Sequence, residues 1–389
     1  MKKRLLPIIL VLPCAAFLNG SCGTSRHLAP DPPTEPEPEY VEYSLVTPII
    51  SKYLSEVSYT DGDYSYSLVQ NYTSQPQTYQ THWPAPVPFK WIPTEGAVSQ
   101  KITFTSEQES FTYTFPGGTS KAEIYNLVPD RKYTCTVECT DAIGKVTKLD
   151  PQYIKTLPGR RFIRVDGVYN IRDLGGMKTG DGKTIRYGRI YRGGEAQGTH
   201  KLNITKSGRE QFAQLGIGAD LDLRRAMDAL DITESPYQEG IHYRRFNDCN
   251  LYSYKKILEG GEYIRAFRYL VKELMTNPDK GVYFHCYAGA DRTGTLAFLV
   301  EGLLGVSESE LAKDYELTSF STPPGARPRV GNNSRTYPGM VSVIKSLPGD
   351  SFKDKFYYYL SSGIVADGEK IGTQPVDTLE WFRNYMLEK

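Results

Sequence analysis

The stretch "GVYFHCYAGADRTGTLAFLVEGLLG", residues 281–305, constrains the fold of this chain more than any other. "GVYFHC" reads as a short apolar strand, and "RTGTLAFLVEGLLG" as a helix so nearly apolar all round that it belongs inside a core. A buried strand that turns straight into a buried helix is the repeating step of an α/β sheet, whose ligands gather beyond the carboxyl ends of the strands. Segments upstream keep the alternation. "SGREQFAQLG" predicts a helix, "GIGADLDLR" a buried strand and "IHYRRF" a second strand. "EYIRAFRYLVKELMTNP" places Ile264, Phe267, Leu270, Val271 and Leu274 on one helical face and stops at Asn277-Pro278.

The turn between the last strand and helix has a definite chemistry. Successive N–H groups and the positive end of the helix dipole make a seat for an anion, phosphate above all. Gly289 permits the tight curl, and Tyr287, Ala288, Ala290, Thr293 and Gly294 supply the rest of the seat. Arg292 closes it with a two-pronged fork suited to phosphate oxygens. Cys286 stands at the floor, where the dipole favours its thiolate form, a nucleophile facing a bound phosphorus. Thr293 is placed to donate to the sulfur, and His285 to hold the loop through backbone hydrogen bonds.

This constellation, His285-Cys286-x-x-Gly289-x-x-Arg292-Thr293-Gly294, resembles the signature loop of the cysteine-dependent protein tyrosine phosphatases. Asp291 makes it "DRTG", as in their bacterial tyrosine and lipid phosphatase branch. Upstream, "NIRDLGGMKTGDGKTIRYGRIYRGG" (170–194) and "LDLRR" (221–225) resemble two further motifs of that branch, in the right order. The resemblance covers most of residues 160–389. It implies a central, mostly parallel sheet flanked by helices, with Arg172, Asp173, Asp222 and Arg224 supporting the loop from behind. Two residues depart from the pattern: Ile171 stands for the usual Phe, and Ala290 for the usual Lys. That lysine adds charge beside the phosphate, so Ala290 weighs against highly anionic phosphoinositides.

The implied reaction has two steps: attack by Cys286 to give a cysteinyl-phosphate, then hydrolysis by water, with one acid serving both. Asp291, inside the loop, ranks first as that acid. Asp248, in "RRFNDCN" after a strand, ranks second. The scheme calls for no metal and no other cofactor. The substrate it implies is a phosphorylated protein, phosphotyrosine foremost, or a small phosphomonoester. Phosphoinositide or inositol-polyphosphate hydrolysis is the second reading, for which Arg224, Arg225, Arg244 and Arg245 are candidate pocket charges. An inert phosphate-binding or adhesion lipoprotein is the third, opposed by the presence of both Cys286 and Arg292.

The N-terminal half is of another kind. "MKKRLLPIILVLPCAAFLNGSCGTS" has a basic start, an apolar run and small residues before Cys22. Residues 1–21 read as a secretion signal, and the small residues before Cys22 resemble the bacterial lipobox, in which the cysteine is lipidated. Residues 22–43, with "APDPPTEPEPE", read as a Pro/Glu-rich tether. This predicts a lipid-anchored protein of the bacterial envelope, periplasmic or outward-facing, that meets the membrane only through its anchor. Residues 44–157 alternate in short runs rich in Thr, Tyr, Val and Ile, the pattern of a small all-β sandwich. Within them, Leu127, Pro129 and Tyr133 resemble the tyrosine corner of fibronectin type III domains, with Trp91 as the early core tryptophan. Net charge is +1, which gives no support for nucleic-acid binding. Cys135 and Cys139 would lie roughly 13 Å apart along one strand, too far to bridge, and are read as core residues. Cys249 is read as packing, with a redox partnership to Cys286 as the alternative.

Overall fold

The alternating residues of the N-terminal half form strands with one dry and one wet face. In β6 (Arg131–Asp141), Tyr133, Cys135, Val137 and Cys139 are buried while the residues between them are partly or fully exposed. β6 is central to a six-stranded sheet that contains β1 (Val41–Tyr43), β3 (Ala97–Thr105), β4 (Ser110–Pro116), β7 (Val146–Lys148) and β8 (Gln152–Thr156). A ladder of β2 (Val87–Lys90) and β5 (Lys121–Ile124) packs Val87, Phe89 and Ile124 into the same core, beside Trp91. At the corner before β6, the Tyr133 hydroxyl accepts the Val128 N–H at 3.0 Å and donates to Glu109 Oε1 at 2.7 Å. Cys135 and Cys139 are free and buried in that core, and burial pushes the Cys135 thiol up to about 12. The computed structural model describes residues 37–59, 68–73, 83–197, 203–228, 232–247, 249, 261–321, 337–362 and 376–388. Asp248, Cys22 and the expected signal and most of the tether lie outside these.

The start of residues 44–157 departs from the all-strand expectation. Pro48–Glu56 is a helix, α1, opened by a proline that suits a first helical turn, and Gln70–Thr73 is a short second helix, α2. Ile50, Tyr53, Leu54 and Val57 follow helical spacing and pack, with Tyr59, Val69 and Trp83, onto the α/β core. The run is too short for its period to stand out from the strands around it.

That core is built on a five-stranded sheet ordered β13 (His242–Arg245), β12 (Ile217–Asp222), β14 (Gly281–His285), β11 (Ile190–Gly193), β9 (Arg172–Asp173). The first four strands are parallel, and β9 runs antiparallel to β11. β14 is central and wholly buried, as its apolar sequence requires. Helices α3 (Lys206–Ala213), α4 (Glu262–Thr276), α5 (Asp291–Leu304) and α6 (Glu308–Leu317) come from the segments between and after the strands. The five apolar residues of α4 named from its periodicity are all buried. In α5 every residue from Arg292 to Leu304 is buried, so it is the core helix behind the sheet. Three more helices, α7 (Tyr337–Lys345), α8 (Phe352–Ser362) and α9 (Val376–Met386), cover it. The chain then pairs β15 (Leu387–Glu388) with β10 (Thr184–Ile185). None of the described helices is long and apolar enough to cross a membrane. Parallel register sets Gly193, Asp222 and His285 side by side at the carboxyl ends of three adjacent strands.

Candidate active site

Cys286 follows β14 directly and is 3% exposed. The next residues curl back through Gly289, whose φ is +65°. Any Cβ there would also stand 2.4 Å from the Gly193 carbonyl carbon, so both conformation and space require glycine. The loop's carbonyls are taken from outside. Tyr287 O accepts from Glu195 N–H at 3.0 Å. Asn170 Nδ2 donates to Ala288 O and to Gly289 O, each at 2.9 Å, and Arg192 Nη2 donates to Gly289 O at 3.1 Å. In a planar trans peptide the N–H points opposite to the C=O. Fixing these three carbonyls outward therefore turns the amides of Ala288, Gly289 and Ala290 toward the inside of the curl, where α5 also begins.

A buried charge network holds the loop from below. Asp314 on α6 binds Arg172 Nε at 2.9 Å, Arg192 Nη1 at 2.6 Å and Arg160 Nη1 at 3.2 Å. Arg172 in turn donates to Asn170 Oδ1 at 2.7 Å, aiming the amide that grips the loop. Burial alone would raise the Asp314 carboxyl, but the three guanidiniums hold it far below the ordinary carboxylate range. Burial and the neighbouring Arg192 bring Arg172 down to about 10, still charged at neutral pH. Asp173 does not reach the loop. It accepts from Gly175 and Gly188 N–H and from Arg161, tying β9 to the start of β11.

Arg292, the first buried residue of α5, is anchored through Nη1 to Leu223 O at 3.2 Å and Asp228 Oδ2 at 3.0 Å. Its Nε is enclosed and has no partner among the described residues, which leaves that edge of the fork for an oxyanion. Burial opposes its charge, but Cys286 and Asp228 more than offset this and raise it. Asp228 is gripped a second time by Arg225 Nη2 at 3.0 Å. Asp291, partly exposed, is the first residue of α5.

Other expectations meet the structure less simply. Gly294, expected in the anion seat, instead donates its N–H to Ala290 O at 2.7 Å, because it already lies within the first helical turn. Its lack of a side chain matters instead for Tyr315, whose ring stands 2.6 Å from where a Cβ would be. Thr293 Oγ1 is buried without a hydrogen bond among the described residues, to Cys286 Sγ or otherwise. Arg224 is no pocket cation: it binds Asp222 through Nε and Nη2 and Glu195 through Nη1, and is fully buried. Arg245 is held by Tyr243 and the Ile232 carbonyl, and Arg244 lies over the rings of Phe246 and Tyr269. Burial opposes the charge of Asp222, yet His285 and Arg224 hold its carboxyl at about 2. His285 Nδ1 lies 3.3 Å from Cys286 O.

Sequence reasoning missed Asn170, Arg192, Asp228 and Asp314. Asn170 and Arg192 stand inside the motif quoted above, and Asp228 closely follows "LDLRR", so their positions were visible though their partners were not. Asp314 carried no local signal, since only tertiary packing brings α6 beneath the loop.

Residues 163–336 match a family described as the tyrosine phosphatase family. A protein of Cupriavidus necator, provisionally named a tyrosine-protein phosphatase, is 25% identical over 189 residues, which is 41% of this chain and 64% of that protein. The tyrosine-protein phosphatase of Nostoc commune is 23% identical over 198 residues, 41% of this chain and 66% of that protein. The chain thus spans just under two thirds of the length of these curated relatives. The core catalytic domain of the yeast PP-IP phosphatase SIW14 is 17% identical, covering 49% of this chain and 91% of that domain, with a TM-score of 0.27, too low to carry an argument. The segment that builds the Cys286 loop, residues 163–336, is therefore a domain that matches the tyrosine phosphatase family.

Proposed function

We propose that this protein is a cysteine-dependent phosphomonoesterase acting foremost on phosphotyrosine. One observation carries the reading: three outward-bound carbonyls turn consecutive amides into a loop that has Cys286 at its floor and, at its wall, an Arg292 Nε without a partner among the described residues. Cys286 Sγ attacks phosphorus, the S–P bond forms and the P–O bond to the leaving group breaks. Asp291 gives its proton to the departing oxygen and then takes one from a water whose oxygen bonds to phosphorus as the S–P bond breaks, which releases phosphate and returns the thiolate. Asp248 is the alternative acid. Loop amides and Arg292 stabilise the equatorial oxygens, and the idle Thr293 hydroxyl is available to the sulfur as it leaves. Among the described residues, Ala290 stands in the loop and Arg224 and Arg245 are committed elsewhere, which favours phosphotyrosine over an inositol polyphosphate. Tyr133 and its corner support a fibronectin type III-like reading of the strand-rich N-terminal part, and a lipid on Cys22 would tether the whole to the cell envelope.

Wild type and Cys286→Ser are to be assayed on phosphotyrosine peptide, phosphoserine peptide, phosphoinositides and inositol hexakisphosphate. Phosphotyrosine turnover lost in the variant is the expected result. The absence of Cys286-dependent activity on all of them rejects the proposal. For the acid, Asp291→Asn should slow alkyl phosphates more than aryl phosphates, whose leaving groups need less help. Equal alkyl turnover in the variant removes Asp291 from that role.

A further inference from the structure

His285 is wholly buried beneath the loop, between the rings of Tyr283 and Tyr237. Its Nε2 stands 3.2 Å from Asp220 Oδ1 and 3.9 Å from Asp222 Oδ1. Asp220, on β12, is also wholly buried, and neither of its oxygens has a hydrogen bond among the described residues. The contact with His285 is close enough for an ion pair but off the line of a hydrogen bond. A solitary buried carboxylate costs several kcal/mol, so a charge must sit beside it or it must stay neutral.

The neighbours decide which. Around the pair lie Asp222, Glu195, Arg224, Arg245, Tyr237, Tyr283 and Cys286. Among the permanently charged groups, the carboxylates of Asp220, Asp222 and Glu195 face the guanidiniums of Arg224 and Arg245. One negative charge is left over. Protonation of His285 neutralises it while leaving Asp220 ionised, and among the described residues no other group in contact with Asp220 does so.

We propose that Asp220 is a positioning residue for the nucleophile: it keeps His285 as an imidazolium whose Nδ1–H donates to the Cys286 carbonyl. That bond fixes the Cys286–Tyr287 peptide plane, and so turns the Tyr287 N–H the other way, in line with the amides that follow it. The cation also lies one residue from the sulfur and favours the thiolate. This rests on Cys286 being the nucleophile.

Two measurements on the full chain test it. Ring ¹⁵N shifts of the histidines, with His285 assigned by its loss in His285→Asn, report protonation without altering Asp220. An imidazolium at pH 7 is expected, and a neutral ring there overturns the proposal. The second is the pH dependence of alkylation at Cys286 by iodoacetamide, followed on the peptide that carries it. Asp220→Asn should raise the midpoint by about one pH unit, and should add no shift in a His285→Asn background. No shift, or equal shifts in both backgrounds, overturns it. Alkylation needs no phosphoester. A protein that shows the shift yet hydrolyses nothing would keep Asp220 in this role and lose the phosphatase reading.

Discussion

At the scale of single residues, the site depends on how Arg292 is held. One of its nitrogens is spent on Leu223 O and Asp228, and this is what aims the rest of the fork at the loop. Hydrogen bonds to charged groups contribute roughly 1.5–3 kcal/mol, so Asp228→Ala should lower kcat/KM by about 10- to 100-fold. The same factor is expected for aryl and alkyl phosphates, because a clamp acts on the phosphate and not on the leaving group. A loss confined to alkyl phosphates would instead make Asp228 the proton donor. Asp228 itself is kept ionised: burial raises its carboxyl, but hydrogen bonds from Arg225 and Arg292 lower it further. The clamp is therefore intact across neutral pH. Nothing in "LDLRRAMD" distinguishes this carboxylate from a surface one, since the contact with Arg292 spans 64 residues of sequence.

At the scale of elements, α5 and α6 bring together groups that burial sets against one another. Asp314 on α6 pairs with arginines from three different segments, and removing it leaves them facing each other in a dry core. Breaking such a buried pair costs about 3–5 kcal/mol, so Asp314→Asn should lower stability by that order and slacken the loop through Arg172 and Arg192. A denaturant midpoint close to wild type would contradict it. Glu301 on α5 is the opposite case. Burial, then the nearby Asp314, push its carboxyl well above the ordinary range, outweighing Arg192, Arg160 and Arg172, and its Oε1 has no partner among the described residues. A carboxyl raised by folding contributes stability below its unfolded pKa of about 4.3, and that contribution is lost as pH rises toward the folded value. Glu301→Gln removes this dependence. The Tm of the variant should therefore gain on wild type as pH goes from 4 to 8, and a constant difference would refute the assignment. The strands and helices named by period were legible because apolar spacing fixes which face is dry: β12, β14, α4 and α5 all lie where the sequence puts them. The network beneath them was not, because a buried arginine has the same letter as a solvated one.

For the whole molecule, the expected separation between an N-terminal sandwich and a catalytic half gives way to shared structure. Asn126, just after β5, clasps Arg164 through its backbone N–H at 2.7 Å and its carbonyl at 2.8 Å. Arg161, 2% exposed, donates to Asn126 O and Leu127 O on one side and to Asp173 and Tyr191 on the other. Trp83 donates to Ile171 O, next to the arginine that aims Asn170, and Lys313, next to Asp314, reaches Leu54 O. The supports of the anion loop are thus braced by residues that precede position 130. The tyrosine corner and the alternating strands were readable because they are local, whereas this bracing pairs residues far apart in the chain. If the N-terminal part were only a spacer or recognition module, residues 160–389 would fold and act alone. The packing says otherwise: cutting at 160 strips Ile50, Tyr53, Val57, Tyr59, Val69 and Trp83 from the α/β core and leaves Arg161 facing water. Deleting one large aromatic from a core costs about 3–5 kcal/mol, and whole-domain stability is only about 5–15 kcal/mol. Residues 160–389 expressed alone should therefore show no cooperative thermal transition and no turnover, in contrast to the full chain. A fragment 160–389 that melts sharply and hydrolyses phosphotyrosine at the full rate would return the N-terminal part to the role of a separate module.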